Sequence, residues 1–437
     1  MDDAGRQRPE ITPDRGDSRT PAEDVGRAPR GGRVPDDGSG DPALVEAVTE
    51  AIASAGGRIT FARFMDLALY HPEHGYYLAA ERRPGRGGDF LTAPEASPLF
   101  GLALARQVAE CWERLGRPEP FVVREYGAGV GGLAYDIIAG LSDEAPAAAA
   151  VLRYRLVEPN RRRVEQALAA MAEVGLGDIV SAEAVPGTPS EGVPGGDLEP
   201  IVGVALANEV ADALPVHRLV VRGGAFRERY VVRRDGPGGA RFGEEEGEPS
   251  SPELGPALWD RLAAEGVILA EGDRVDTSPA SADWFAAVGR GLARGFAIVL
   301  DYGYAAAELY RDHRLQGTVR AHLAHTVNDE PLLRVGRQDL TAHVDFTALQ
   351  RAGETVGLRA AGLTTQGAFL TGLGLGDFLV RMQADPSTTP AEYYAAQAAV
   401  LRLIDPGGMG RFRVLIMGRD VPLGPPLRGL SVPPPAF

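Results

Sequence analysis

From position 121 onward, short runs of β-prone apolar residues alternate with longer stretches whose apolar positions recur every three to four residues. That switching predicts strands alternating with helices, the pattern of a doubly wound α/β sheet. The runs lie at 121–126, 154–157, 201–207, 297–300 and 411–417, with helical spacing at 161–174 and 391–403. Right-handed crossovers would then bring these strand ends to one rim.

The pattern upstream is helical. Asp41 can cap a helix with Pro42 at its first position and Leu44, Val45, Val48 and Ile52 on its apolar face. Thr60 can cap a second, carrying Phe64, Leu67 and Leu69 and stopped by Pro72. A third spans 97–115, so residues 41–120 read as an N-terminal helical cap on a sheet domain at 121–420. Two insertions interrupt that domain, at 216–295 and 303–345. The first opens with alternation over 216–232 around Gly223-Gly224, a hairpin signal, and goes on to 243–248, which reads as a solvated acidic loop. The second is polar and holds histidines, suiting an active-site cover or a linker. Residues 1–40 hold too few apolar side chains to order themselves and read as a disordered tail; 421–437 read as a Pro-rich tail.

Composition narrows the classes. A chain of 437 residues, 44% hydrophobic, builds one large domain or two ordinary ones. No apolar run is long enough to span a bilayer, and Met1-Asp2-Asp3 lacks the features of a signal peptide. The single cysteine, Cys111, excludes an internal disulfide. The expected compartment is the cytoplasm. Net charge is −15, all 45 basic residues are arginine, and most of the negative charge falls beyond residue 40. An acidic body without a basic stripe argues against a nucleic-acid partner.

The first run leads into the densest chemical signal, Glu125-Tyr126-Gly127-Ala128-Gly129-Val130-Gly131-Gly132. Strand, glycine turn and helix in that order suit a nucleotide-like cofactor: glycine allows close main-chain approach, and the helix start offers free N–H groups. Gly127, Gly129 and Gly131 fit S-adenosylmethionine (SAM), while Gly127, Gly129 and Gly132 fit a dinucleotide. Glu125 leans toward SAM, because a carboxylate there repels a pyrophosphate and suits a cationic ligand. Glu158, ending the second run, is placed to accept from ribose hydroxyls in either cofactor.

A second centre is Asn208-Glu209-Val210-Ala211-Asp212-Ala213-Leu214-Pro215, delivered to the same rim. If Glu209 opens a helical turn, Asp212 shares its face, and two carboxylates there suit a guanidinium fork. His322-x-x-His325 and His343-x-Asp345 lack the spacing of an established metal site, so no metal is expected.

Further motifs run in order along the chain: Tyr70-His71-Pro72 with Gly75-Tyr76-Tyr77, Gly88-Asp89-Phe90, the glycine turn, Asn208-Glu209 with Asp212-Ala213-Leu214-Pro215, Asp301-Tyr302-Gly303, and Thr341-Ala342-His343-Val344-Asp345-Phe346. On these the sequence resembles the MidA-like family of SAM-dependent methyltransferases from about residue 59 to 417. The resemblance implies a Rossmann-like, seven-stranded, mostly parallel methyltransferase sheet with an N-terminal helical cap and an inserted hairpin and loops. It implies SAM held by Glu125, Gly127, Gly129, Gly131 and Glu158. It makes Glu209 the first catalytic candidate, Asp212 the second and Asn208 an orienting group, with Tyr76, Tyr77, Asp89, Asp301, Tyr302 and His343 as substrate-pocket candidates. The implied activity is protein arginine N-methylation, with a respiratory complex I subunit as a candidate substrate. An assembly chaperone keeping the fold and a small-molecule methyltransferase are the alternatives. Two differences from the family stand out: Tyr126, Ala128 and Val130 within the glycine loop, and Val210-Ala211 where two aromatic residues are common.

Overall fold

The computed structural model describes residues 39–79, 93–184, 198–236, 239–311, 316–323 and 326–434. Residues 1–38 of the tail at 1–40, Asp89 and His325 therefore lie outside the described residues. The central sheet has seven strands: β1 (Phe121–Tyr126), β2 (Leu152–Val157), β3 (Val180–Glu183), β4 (Ile201–Asn208), β5 (Leu292–Asp301), β6 (Arg359–Thr365) and β7 (Arg413–Arg419). Their order is β3-β2-β1-β4-β5-β7-β6. The five strands from β3 to β5 are parallel, while β7 runs antiparallel to both β5 and β6.

Two details differ from the sequence expectation. The run at 411–417 does not close the sheet but enters between β5 and β6 with reversed direction, so Arg413, not its far end, lies level with Asp301. Strands β3 and β6 carry no recognisable apolar run, because both are edge strands with only partial burial. An edge strand needs fewer apolar side chains, so its signal fades.

Inner strands are buried on both faces, as a parallel sheet covered by helices requires. Their side chains alternate between two cores. Phe121, Val123, Val204, Leu206, Phe296, Ile298 and Ile416 pack on one side with helices α3 (Leu99–Arg114) and α4 (Gly132–Glu144). Val122, Ala205, Ala207, Ala297, Val299 and Met417 pack on the other with Trp284, Phe285 and Phe346. Val421 and Leu427, beyond the last strand, are buried in the first core.

The upstream helices form as their caps foretell. Asp41 Oδ1 accepts from the Ala43 and Leu44 N–H groups at the start of α1 (Pro42–Ser54), and Thr60 Oγ1 accepts from Arg63 N–H at the start of α2 (Phe61–Tyr70). Both helices pack against residues of the two insertions, including Val216, Val231, Val319 and Leu340, whereas α3 packs on the central sheet. The hairpin around Gly223-Gly224 is present, as His217–Arg222 paired with Ala225–Gly236. The acidic stretch at 243–248 is not a loop: Gly239–Gly247 is a third strand of that sheet. Its glutamates are neutralised by arginines of the two hairpin strands, with Arg218 to Glu244 at 2.8 Å, Arg222 to Glu246 at 2.8 Å, and Arg229 also on Glu244. Cross-strand pairs of opposite charge stabilise a sheet that repulsion would otherwise open.

Candidate active site

The strand order reverses direction between β1 and β4, and there the sheet leaves a crevice at its carboxyl edge. The turn after β1 forms its floor. Gly127, Gly129 and Gly131 all adopt positive φ, at 70°, 55° and 82°, whereas Gly132 simply begins α4. The three alternate glycines are thus the ones the turn requires. A Cβ at Gly129 would meet nothing within 4 Å, so that main chain faces open space. A Cβ at Gly131 would stand 3.1 Å from Ala167 Cβ, so this glycine lets helix α5 (Arg161–Glu173) close over the turn.

Glu158 clamps the loop from β2. Its Oε2 accepts from Gly129 N–H at 2.9 Å and its Oε1 from Asn160 N–H at 2.9 Å. Each oxygen retains a lone pair, and the side chain lines the cavity. Glu125, buried beneath, accepts from the Tyr154 hydroxyl at 2.7 Å. Burial pushes its carboxyl up to about 8 against that hydrogen bond.

The cavity measures about 630 Å³, within the range of small-molecule sites. Its opposite wall is the Asn208–Leu214 segment. Glu209 Oε1 accepts from Ala93 N–H at 3.1 Å and from Asn208 Nδ2 at 3.0 Å. Both Glu209 and Asp212 line the cavity, but no helix starts at Glu209: its φ is +52°, and a single 3-10 turn follows at Ala211–Ala213. Burial, and then Asp212, raise Glu209 to about 7. Burial raises Asp212 to about 6 against the nearby Tyr302 hydroxyl. Asp212 Oδ1 has no hydrogen-bond partner among the described residues. Six carboxyls line the cavity, those of Glu95, Glu125, Asp136, Glu158, Glu209 and Asp212, against one guanidinium, Arg163. The lining is acidic.

The other pocket candidates separate. Tyr77 lines the cavity and donates to Asp339 Oδ1 at 2.8 Å. Tyr76 is 1% exposed and packs edge-on against Tyr77 from behind. Asp301, Tyr302 and His343 stand behind the acidic wall, with the Tyr302 and His343 rings 5.5 Å apart, and none of the three lines the cavity. No group of three or more His, Cys, Asp or Glu able to hold a metal occurs among the described residues. Sequence reasoning missed Trp284 and Asp136 as lining residues. Trp284 carries only a core signal, sitting on a helix of an insertion, whereas Asp136 lies one turn into the helix leaving the glycines and was findable by that spacing.

A glycine cradle ringed by carboxyls repels a pyrophosphate and accepts a sulfonium nucleoside, which marks a SAM-dependent methyltransferase rather than a dinucleotide enzyme. The comparisons agree. Residues 103–364 match the model of a family of S-adenosyl-L-methionine-dependent methyltransferases, and the chain belongs to that family. A crystal structure of a protein from Burkholderia thailandensis bound to S-adenosyl-homocysteine is 34% identical, with a TM-score of 0.76, covering 89% of this chain and 94% of that one. The mitochondrial protein arginine methyltransferase NDUFAF7 homolog of Drosophila melanogaster is 28% identical over 87% of this chain and 85% of its own length. The human protein arginine methyltransferase NDUFAF7 is 26% identical over 81% and 78%.

Proposed function

We propose that this methyltransferase acts on arginine guanidinium groups of a protein substrate. The observation that carries the reading is the pair of half-buried Glu209 and buried Asp212 in the wall of the cofactor cavity, with no basic partner among the described residues. The names of the NDUFAF7 relatives support the acceptor class. By resemblance to the MidA-like family, a respiratory complex I subunit is the first substrate to test. The single cysteine, Cys111, is in keeping with a cytoplasmic enzyme, a placement that fractionation tests.

The cradle residues fit SAM: Gly127, Gly129 and Gly131 would admit it closely, Glu158 would take the ribose hydroxyls, and carboxyls near the turn suit its cationic end. When bound, it supplies a methyl group activated by a sulfonium. The chain's own residues must do the rest. A guanidinium is planar, protonated below a pKa of about 12, and a poor nucleophile because its lone pairs are delocalised. Glu209, opposed across the cavity by the glycine turn, is placed to hold that fork and draw charge away from the attacking nitrogen. Asp212 gives a second anchor, and Asn208, donating to Glu209, fixes the orientation of its carboxyl. The nitrogen that gains a methyl sheds one proton, and a carboxyl near 7 is matched to receive it.

The test is incubation of lysate from a deletion strain with labelled SAM and the purified chain, followed by mass spectrometry. Label on arginine of a protein is expected. Label only in the low-mass fraction would point to a small-molecule methyltransferase, and no label above background to a chaperone that keeps the fold.

A further inference from the structure

We infer that Asp301 is the positioning residue of the acceptor centre: it fixes the backbone that aims Glu209 and Asp212, and touches neither cofactor nor acceptor itself. The inference rests on the guanidinium reading only for the reaction it serves. Asp301 ends β5 one residue beyond Leu300, which lies in register with Asn208 on β4. Its side chain is fully buried and reaches across to the neighbouring strand end. Oδ2 accepts from three successive N–H groups, those of Val210 at 3.2 Å, Ala211 at 2.9 Å and Asp212 at 3.3 Å. Oδ1 accepts from Tyr302 N–H at 2.8 Å.

Three consecutive N–H groups converge on one oxygen only if the chain curls around it, as at a helix N-cap. The curl is achieved at Glu209, whose left-handed φ of +52° a non-glycine residue adopts only under constraint. The carbonyls of the same turn are also held: Ser281 Oγ donates to Ala211 O, Ala342 N–H to Asp212 O, and the Tyr70 hydroxyl to Ala213 O. Those three contacts come from separate elements and take one carbonyl each. Among the described residues, Asp301 is the side chain that binds three residues of the turn at once, from a strand of the sheet. Remove it and the N–H groups lose a common acceptor, Glu209 relaxes from its left-handed backbone, and both carboxyls swing from their aim. The hydrogen bonds that hold the glycine turn come from Glu158 after β2 and not from Asp301, so the cradle keeps its own support.

The experiment compares Asp301→Leu and Asp301→Asn with the wild-type chain, reading S-adenosyl-homocysteine affinity, kcat and KM on an arginine peptide, and amide exchange over residues 208–214. In Asp301→Leu, kcat is expected to fall about 100-fold, the size of a misaligned reacting group, with KM and cofactor affinity within about threefold. Asp301→Asn keeps a carbonyl oxygen for the three N–H groups and should recover kcat to within about tenfold of wild type. In both variants amides 210–212 should exchange faster, while those of the glycine turn do not. Unchanged kcat with unchanged exchange overturns the assignment. Parallel loss of cofactor binding and turnover in both variants also overturns it, since a residue acting only on overall stability would do that. A wild-type chain that methylates no arginine overturns the guanidinium reading instead, and the exchange result alone then decides on Asp301.

Discussion

Glu209 concentrates the unusual chemistry of the site in one residue: a left-handed backbone, a half-buried side chain and a carboxyl lifted to about 7. Replacing it by alanine should lower kcat about 100-fold, as loss of one electrostatic group in a dry site does, with cofactor affinity nearly unchanged. Steady-state kinetics beside calorimetric titration with S-adenosyl-homocysteine checks this, and a normal rate would remove Glu209 from the mechanism. A pH dependence follows from the same carboxyls. Glu125 at about 8, Glu209 and Asp136 at about 7 and Asp212 at about 6 are all raised by burial. For an acid raised on folding, the native state binds the extra proton, so its stabilising contribution is complete below the unfolded value and is lost as pH rises through the folded one. The free chain should therefore lose thermal stability from pH 5 to pH 8, while activity, which needs the anions, rises across pH 6–7. Melting curves and rate profiles over that range should move in opposite directions. These values come from packing: the sequence points to Glu125, Glu209 and Asp212 and passes over Asp136, and only enclosure makes all four weak.

At the scale of elements, strands and capped helices were legible wherever local chemistry spoke for itself. Asp41 with Pro42, Thr60, and the hairpin at Gly223-Gly224 all form as their residues dictate. The stretch at 243–248 did not, because its partners are remote in sequence: arginines at 218, 222 and 229 make a strand of what looks like a solvated loop. Glu244 is shared by Arg218 and Arg229 and only partly exposed. Its replacement by alanine should cost about 2 kcal/mol, the scale of charge-assisted hydrogen bonds, because two guanidinium groups then face each other. Urea unfolding should show this loss with cofactor affinity intact, since that sheet is separate from the glycine turn.

At the scale of the molecule, charge acts on encounter. A net charge of −15 and a cavity with six carboxyls should draw a basic peptide in and hold it. Raising salt from about 0.01 M to 1 M shortens the Debye length from about 30 Å to 3 Å, so KM for an arginine peptide should climb with ionic strength while kcat holds steady. A KM indifferent to salt would mean that the acceptor is recognised by shape alone.

The sequence by itself determined the strand–glycine–helix signal, the succession of the buried strands along the chain, the acids at their ends and the resemblance that selected SAM over a dinucleotide. Each of these is written in neighbouring residues, where turn geometry and apolar periodicity act over a few positions. The tertiary structure decided the reversed insertion of β7, the separation of Tyr77 at the cavity from Tyr76 behind it, and the place of Asp301 behind the acidic wall. It also decided that Glu209 turns left-handed instead of opening a helix, because the three N–H groups that follow are gripped from a strand some ninety residues away in the chain. A hydrogen-bond acceptor that distant leaves no mark on the local pattern, and only the packing of one strand end against another reveals it.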